Sequence, residues 1–331
     1  MFQVDRIVDI VGAERVKKNE PMAQHTTFRI GGPAAYFIEP ETIEQLAACI
    51  KYMVSCGAKW YIIGNGSNLL VSDAGIDAVV FATHSIGDGS LNRIQVVSKD
   101  ASEELYGALM REFAVSQEDT EGKILVCAGA GVMLSALAAK VASEGLAGFA
   151  FAGGIPGTLG GAVTMNAGAY GGEIKDVIVA AKVLDAEGEI HILSRDELQL
   201  SYRHSVIQEK DMVVVEALFA FESGDVQEIQ SQMQEFSMRR REKQPLEHGS
   251  AGSTFKRPEG YFAGKLIEDA GLKGYRVGDV MVSEKHCGFV VNVGNGTCEQ
   301  ADEVIAHVRN TVNEMYGVML ETEVKRLPER K

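Results

Sequence analysis

An arginine set among small polar groups, Leu200-Ser201-Tyr202-Arg203-His204-Ser205, is the first place where this chain could hold an anion. A guanidinium offers a planar, two-pronged donor set that matches a carboxylate or phosphate. The plain alternative is a solvated loop residue, the usual fate of arginine. A second candidate is His248-Gly249-Ser250-Ala251-Gly252-Ser253-Thr254-Phe255-Lys256. It can be read as a Ser/Gly turn, and without a GxSxG elbow it does not indicate a serine nucleophile. Further on, Leu320-Glu321-Thr322-Glu323-Val324-Lys325 puts two glutamates on one face of a strand by the period of two, either as a site or as a solvated edge. His286 and Cys287 are neighbours, but adjacent strand residues point to opposite faces, so both read as structural.

Glycine marks the other candidates. Residues 151–173, FAGGIPGTLGGAVTMNAGAYGGE, hold eight glycines in twenty-three positions, spaced by Phe151, Ile155, Leu159, Val163 and Met165. A flexible linker would carry polar spacers. Apolar spacers predict a buried, tightly turned loop whose backbone lets a large flat ligand approach closely. Gly64-Asn65-Gly66-Ser67-Asn68 follows a strand and is either an anion cradle of converging amides or a tight hairpin turn. It and Gly129-Ala130-Gly131 lack the third glycine of GxGxxG, so a dinucleotide Rossmann site is only weakly indicated.

The elements that must position these groups follow from periodicity. Helices are predicted over 5–18, over 43–56 (capped by Thr42 and stopped by Gly57), near 103–113, and over 133–143, 225–243, 260–270 and 299–316. Strands are predicted over 35–38, 59–63, 78–82, 123–127, 211–219, 287–293 and 318–326, with a hairpin over 177–193. The polar stretch 84–121 is otherwise hard to read. Strands and helices mix without regular βαβ alternation, so the class is α+β.

Composition narrows the partners. The 331 residues carry a net charge of −14, which argues against nucleic acid or an anionic membrane, although a few local cations can still bind a small anion. No apolar run is long enough to span a bilayer. The start, MFQVDRIVDIVGAERVKK, does not read as a signal peptide. The five cysteines are scattered without CxxC spacing, which supports neither a disulfide scaffold nor a zinc site and fits a bacterial-type cytoplasm.

Taken in order, HTTFRIGG, YIIGNGSNLL, AGAG, AGGIPGTLGGAVTMNAGAYGGE, SYRHS, SAGSTFKRP, LKG, GFVVN and LETEV closely resemble the UDP-N-acetylenolpyruvoylglucosamine reductase family (MurB), over about residues 20–325. The resemblance implies a two-lobed FAD-binding fold of the vanillyl-alcohol-oxidase/PCMH type plus a C-terminal α+β substrate domain. The expected division is 1–82 with 318–331, then 83–224, then 225–317. It implies NADPH as electron source, FAD as cofactor and an enolpyruvyl UDP-sugar as substrate, in cytoplasmic peptidoglycan precursor synthesis. Oligomeric state stays open.

Carried over residue by residue, the catalytic set is Arg203, Ser253 and Glu323. Arg203 would bind the substrate carboxylate, and Ser253 would protonate the enolate-like carbon. Glu323 would be protonated or hydrogen-bonded, since a bare anion there would repel the enolate. FAD contacts are expected at Gly64, Asn65, Gly66, Ser67, Asn68, Gly129, Ile155, Pro156, Gly157, Gly160, Gly161 and Ala162. Substrate contacts are expected at Asn166, Tyr202, Lys243 and Lys273. The short span from Arg203 to Ser253 resembles the subclass without an extra tyrosine-bearing loop. A rival of the same fold would oxidise a sugar or alcohol and tether FAD, with His25 as the candidate tether.

Overall fold

Every residue of strand Val213–Phe221 except Glu216 is buried, so this strand must be covered on both faces. It is the middle of a five-stranded antiparallel sheet in the order Ile190–Ser194, Ile178–Leu184, Val213–Phe221, Ile124–Gly129, Ile94–Val97. Helix Glu103–Glu112 covers one face with Tyr106 and Leu109, joined by Phe113, against Leu125, Val179 and Leu218. On the aromatic side, Phe149 lies 5.3–5.8 Å from the rings of Phe151, Phe219 and Phe221. The segment that enters the glycine stretch is thereby anchored to the sheet.

The computed structural model describes residues 2–84 and 89–329, so residues 85–88 of the polar stretch lie outside the description. The chain divides into two compact units, one of residues 1–17, 38–64 and 80–238, the other of 18–37, 65–79 and 239–331. The five-stranded sheet belongs to the first. A four-stranded sheet is ordered Val16–Pro21, Pro33–Ile38, Ile76–Ala82, Trp60–Ile63, and its first three strands carry the chain from one unit to the other.

The second unit is built on a small antiparallel sheet, Gly249–Ser250, Val290–Asn292, Val280–Val282 and Arg276–Val277. Helices Ala263–Asp269 and Cys298–Tyr316 bury Ile267, Val304, Val308 and Val312 in the same core as Val280, Val282 and Val290. Thr297 and Gln300 form a capping box at the start of the longer helix, and Asp73 accepts from Cys298 N–H (2.8 Å) and Glu299 N–H (3.0 Å). The helix stops at Gly317, φ +67°.

Two predicted elements are corrected. The first helix covers only Val4–Val11, because Gly12 at φ +92° ends it and Val16–Pro21 turns extended. The last strand is only Lys325–Leu327, paired in parallel with Leu69–Val71. Residues 318–324 are held instead by single backbone bonds, and these shape the site. Among the described residues no helix is long and apolar enough to cross a membrane. The mixed content is α+β, as expected.

Candidate active site

Ser201 and His204 exchange two backbone hydrogen bonds of 3.1 Å, closing a four-residue turn around Tyr202 and Arg203. Arg203 has φ +56°, at the position where a type II turn ordinarily takes glycine. Such strain persists where the surroundings over-determine it. Here Gln208 Nε2 donates to the carbonyls of Arg203 (3.2 Å) and Thr164 (2.9 Å), and buried Ser205 Oγ donates to Thr164 O at 2.6 Å. The turn is thus fixed to the end of helix Leu159–Thr164, inside the glycine stretch.

Asn166, itself at φ +42° and only 1% exposed, completes the clamp. Its Nδ2 donates to Glu173 Oε2 (2.8 Å) and Ser201 O (3.1 Å), and its Oδ1 accepts from Lys175 N–H (3.0 Å). The Asn166 amide thus bonds three protein groups and holds the Arg203 turn. The hydrogen-bonded Lys175 ammonium, with Asn166 and the charge of Arg203, holds the Glu173 carboxyl below its ordinary value. Tyr202 is half exposed, with its ring centre 5.3 Å from the Arg203 guanidinium.

In the other unit, the Ser253 and Glu323 segments lie side by side. Glu323 N–H donates to Thr254 O (2.9 Å), Lys256 N–H donates to Glu321 O (2.9 Å), and Phe255 and Thr322 form an antiparallel bridge. Thr254 is buried, with its Oγ1 accepting from Val290 N–H at 2.9 Å, so this short ladder is pinned to the small sheet. Asn68 of the GNGSN loop takes the other side: its Nδ2 donates to Glu323 O (3.0 Å) and its carbonyl accepts from Lys325 N–H (2.9 Å). Backbone bonds thus tie a candidate acid, a candidate glutamate and the candidate cofactor loop together. Ser253 is exposed, Glu323 half-buried. Glu321, which the strand period placed beside Glu323, instead reaches the exposed Lys256 ammonium at 3.2 Å.

The glycines sort by what a side chain would meet. A Cβ on Gly64 would lie 2.1 Å from Thr158 Oγ1, one on Gly66 (φ +60°) 2.0 Å from His25 O, and one on Gly129 2.3 Å from Ser90 O. At Gly160 it would press on Ala130 Cβ at 3.0 Å. These positions lack side chains because the protein's own backbone and side chains crowd them. Gly161 differs: it is exposed, and the nearest atom to its Cβ would be Thr158 Oγ1 at 3.8 Å. Gly154 and Pro156 are also exposed, Ile155 and Gly157 half so, and Ala162 is buried. The stretch is therefore buried on one side and open on the other, with exposed backbone at Gly154, Pro156 and Gly161.

Lys243 ends helix Val226–Lys243 and Lys273 follows helix Ala263–Asp269; both are exposed, in the same unit as Ser253. His286 Nδ1 accepts from Gly288 N–H (3.1 Å), and burial pushes the neighbouring Cys287 thiol up, so neither is poised for thiol chemistry. The sequence reading missed Thr158, Gln208 and Glu173 as positioning groups. Only Thr158, a Ser/Thr directly before a helix, carried a local signal.

Family models match this architecture in two places, an FAD binding domain over residues 107–194 and the C-terminal domain of UDP-N-acetylenolpyruvoylglucosamine reductase over residues 244–327. The chain is thus an α+β protein with an FAD-binding domain and a reductase-type C-terminal domain. It is 50% identical over 327 residues to the UDP-N-acetylenolpyruvoylglucosamine reductase of Lachnoclostridium phytofermentans, covering 99% of this chain and 97% of that protein. The corresponding protein of Agathobacter rectalis is 51% identical over 312 residues, 94% of each chain. The solved structure of UDP-N-acetylenolpyruvylglucosamine reductase (MurB) from Thermus caldophilus superposes with TM-score 0.73 at 31% identity, covering 95% of this chain and 99% of that one. The chain belongs to the UDP-N-acetylenolpyruvoylglucosamine reductase family.

The residues present fit FAD. Thr158, at the residue before helix Leu159–Thr164, does not cap it, and its buried Oγ1 has no hydrogen-bond partner among the described residues. It lies against Gly64 and nearest to the open Gly161. A polar atom left orphaned beside exposed, side-chain-free backbone is what a cofactor seat requires.

Proposed function

We propose that this protein reduces the enolpyruvyl group of UDP-N-acetylglucosamine enolpyruvate to give UDP-N-acetylmuramate, with NADPH as electron source and FAD as carrier, in cytoplasmic peptidoglycan precursor synthesis. The observation that carries the reading is the backbone ladder that registers Ser253 and Glu323 with Asn68 of the cofactor loop. In this reading residues among Gly64–Asn68 and 155–162 would hold FAD, whose chemistry when bound would be to supply a hydride for the terminal carbon of the enolpyruvyl group.

The chain's residues manage the charge that develops. Arg203 holds the substrate carboxylate with two parallel donors and stabilises the enolate that spreads into it. Ser253 Oγ–H gives its proton to the carbon bearing the carboxylate. A serine hydroxyl is a feeble acid, but an enolate-like carbanion is a strong base, so no histidine partner is needed. Glu323, its backbone tied on both sides, orients water or substrate through its carboxyl. Tyr202, Lys243 and Lys273 contribute to holding the UDP-sugar, and the three-part division of the chain belongs to the same reading.

Single-turnover spectroscopy tests it. In Ser253→Ala, bleaching of the flavin by NADPH should proceed near the normal rate, while its reoxidation by the enolpyruvyl substrate slows by orders of magnitude. An equal loss in both halves would remove Ser253 from the proton step. The rival sugar or alcohol oxidase with tethered FAD gains no support from His25, whose ring stacks on Phe37 at 3.9 Å and whose Nε2 is 2.8 Å from Glu20 Oε1. Flavin that stays with the denatured protein would revive that rival.

A further inference from the structure

The loop before strand Pro33–Ile38 contains a second arginine in the left-handed region, Arg29 at φ +58°. As at Arg203, a dense set of bonds enforces the conformation. Arg29 N–H donates to Thr26 O (3.1 Å), Thr26 Oγ1 donates to Ile30 O (3.2 Å), and Thr27 Oγ1 donates to Ser250 O (2.7 Å). From the small sheet, buried Asn292 Nδ2 reaches the carbonyls of Phe28 (3.2 Å) and Arg29 (3.4 Å). A glycine would adopt this backbone without strain, yet the position holds the bulkiest cation.

The Arg29 side chain is exposed and makes no hydrogen bond or ion pair among the described residues, in a chain of net charge −14. The loop that carries it also cages the GNGSN loop: Thr27 N–H donates to Gly66 O (3.3 Å), and a Cβ on Gly66 would lie 2.9 Å from Thr26 Cα. An unpaired guanidinium is therefore held on strained backbone, one tight turn away from a loop whose Ser67 and Asn65 are half exposed.

We propose that Arg29 binds the diphosphate of FAD, an inference that rests on the flavin reading above and adds a residue to it. The strain is retained because it directs a cation at the anionic bridge of the cofactor, beside the GNGSN loop that the same segment cages.

The test uses the full chain stripped of flavin, with FAD and riboflavin titrated into wild type, Arg29→Ala, Arg29→Lys and Arg29→Gly and read by flavin fluorescence. Loss of a charge-assisted contact should weaken FAD about 10- to 100-fold in the alanine and glycine variants and less in the lysine variant, with reduced salt dependence. Riboflavin, which lacks the diphosphate, should bind all four alike. Apo Arg29→Gly should melt no lower than wild type, since the strain is relieved. FAD affinity within twofold of wild type in Arg29→Ala and Arg29→Gly overturns the inference, as does an equal loss for riboflavin or a lower melting point in the glycine variant. Intact FAD binding with a raised KM for the UDP-sugar would assign Arg29 to the substrate's diphosphate and overturn it as well. Wild type that takes up no FAD overturns both this inference and the flavin reading, whereas unchanged variants beside a wild type that binds FAD overturn this inference alone.

Discussion

Holding Arg203 at φ +56° costs about 1–2 kcal/mol that glycine would not incur. Arg203→Gly should therefore raise the melting temperature slightly, by about 2 °C, and abolish the substrate half-reaction. Arg203→Lys keeps the charge and the strain but offers one ammonium in place of a two-pronged donor. It should slow flavin reoxidation by substrate more than tenfold while leaving NADPH reduction unchanged; equal rates in wild type and the lysine variant would remove the carboxylate clamp. Stopped-flow absorbance and calorimetry give both readouts. The arginine itself was legible in the sequence, from its small polar neighbours and then from the SYRHS motif. Its backbone was not, because a positive φ is signalled by glycine or asparagine and seldom by arginine. Asn166 stood out only through the resemblance, as an expected substrate contact. Its grip on the Arg203 turn was not legible, because its partners Glu173 and Ser201 lie 7 and 35 positions away.

Helices announced themselves where local signals agree. Thr42 Oγ1 accepts from Gln45 N–H at 3.2 Å and Gly57 turns to φ +64°, bounding Ile43–Cys56 as the cap and stop residues predict. Strands that depend on partners elsewhere did not. Val16–Pro21 reads VKKNEP and has no apolar alternation, while Arg276–Val277 and Gly249–Ser250 are too short to show a period. The glycine stretch was legible as a ligand loop, but not the division of labour within it, since crowding by Ala130 or Thr158 is a tertiary fact. That division is testable by two alanine substitutions in one helix, Leu159–Thr164. At Gly160, a methyl 3.0 Å from Ala130 Cβ and 3.3 Å from Ala130 O should cost about 1–3 kcal/mol of apo stability. At Gly161 the space is open, so Gly161→Ala should stabilise the apo protein by up to about 1 kcal/mol through helix propensity and weaken FAD by obstructing its approach. Denaturation of the apo proteins and FAD titration separate the two. FAD binding unaltered in Gly161→Ala would take that residue out of the cofactor seat.

Across the whole molecule, charge and burial set the response to pH. The acidic balance of −14 keeps the chain anionic at neutrality, so an anionic ligand must be met by local cations and not by the overall field. Carboxylates held below their ordinary values, such as Glu173 beside Lys175 and Asp279 with the Asn295 N–H and Arg276, stabilise the fold at neutral pH. That contribution fades only in acid below about pH 4.5, the ordinary glutamate value. His286 acts earlier. Burial holds its pKa below the ordinary 6.5, and its neutral Nδ1 accepts the Gly288 N–H. As pH falls through 6.5 the unfolded chain takes up this proton first, so the stabilisation is fully present above that pH and is lost toward the lower folded value. Protonation would also replace an acceptor with a donor facing that amide. His286→Asn retains an acceptor near the Nδ1 position and removes the titration. Urea midpoints between about pH 7 and 5.5 should therefore decline in wild type and stay level in His286→Asn. Parallel declines in the two proteins would mean that another group drives the mild-acid loss.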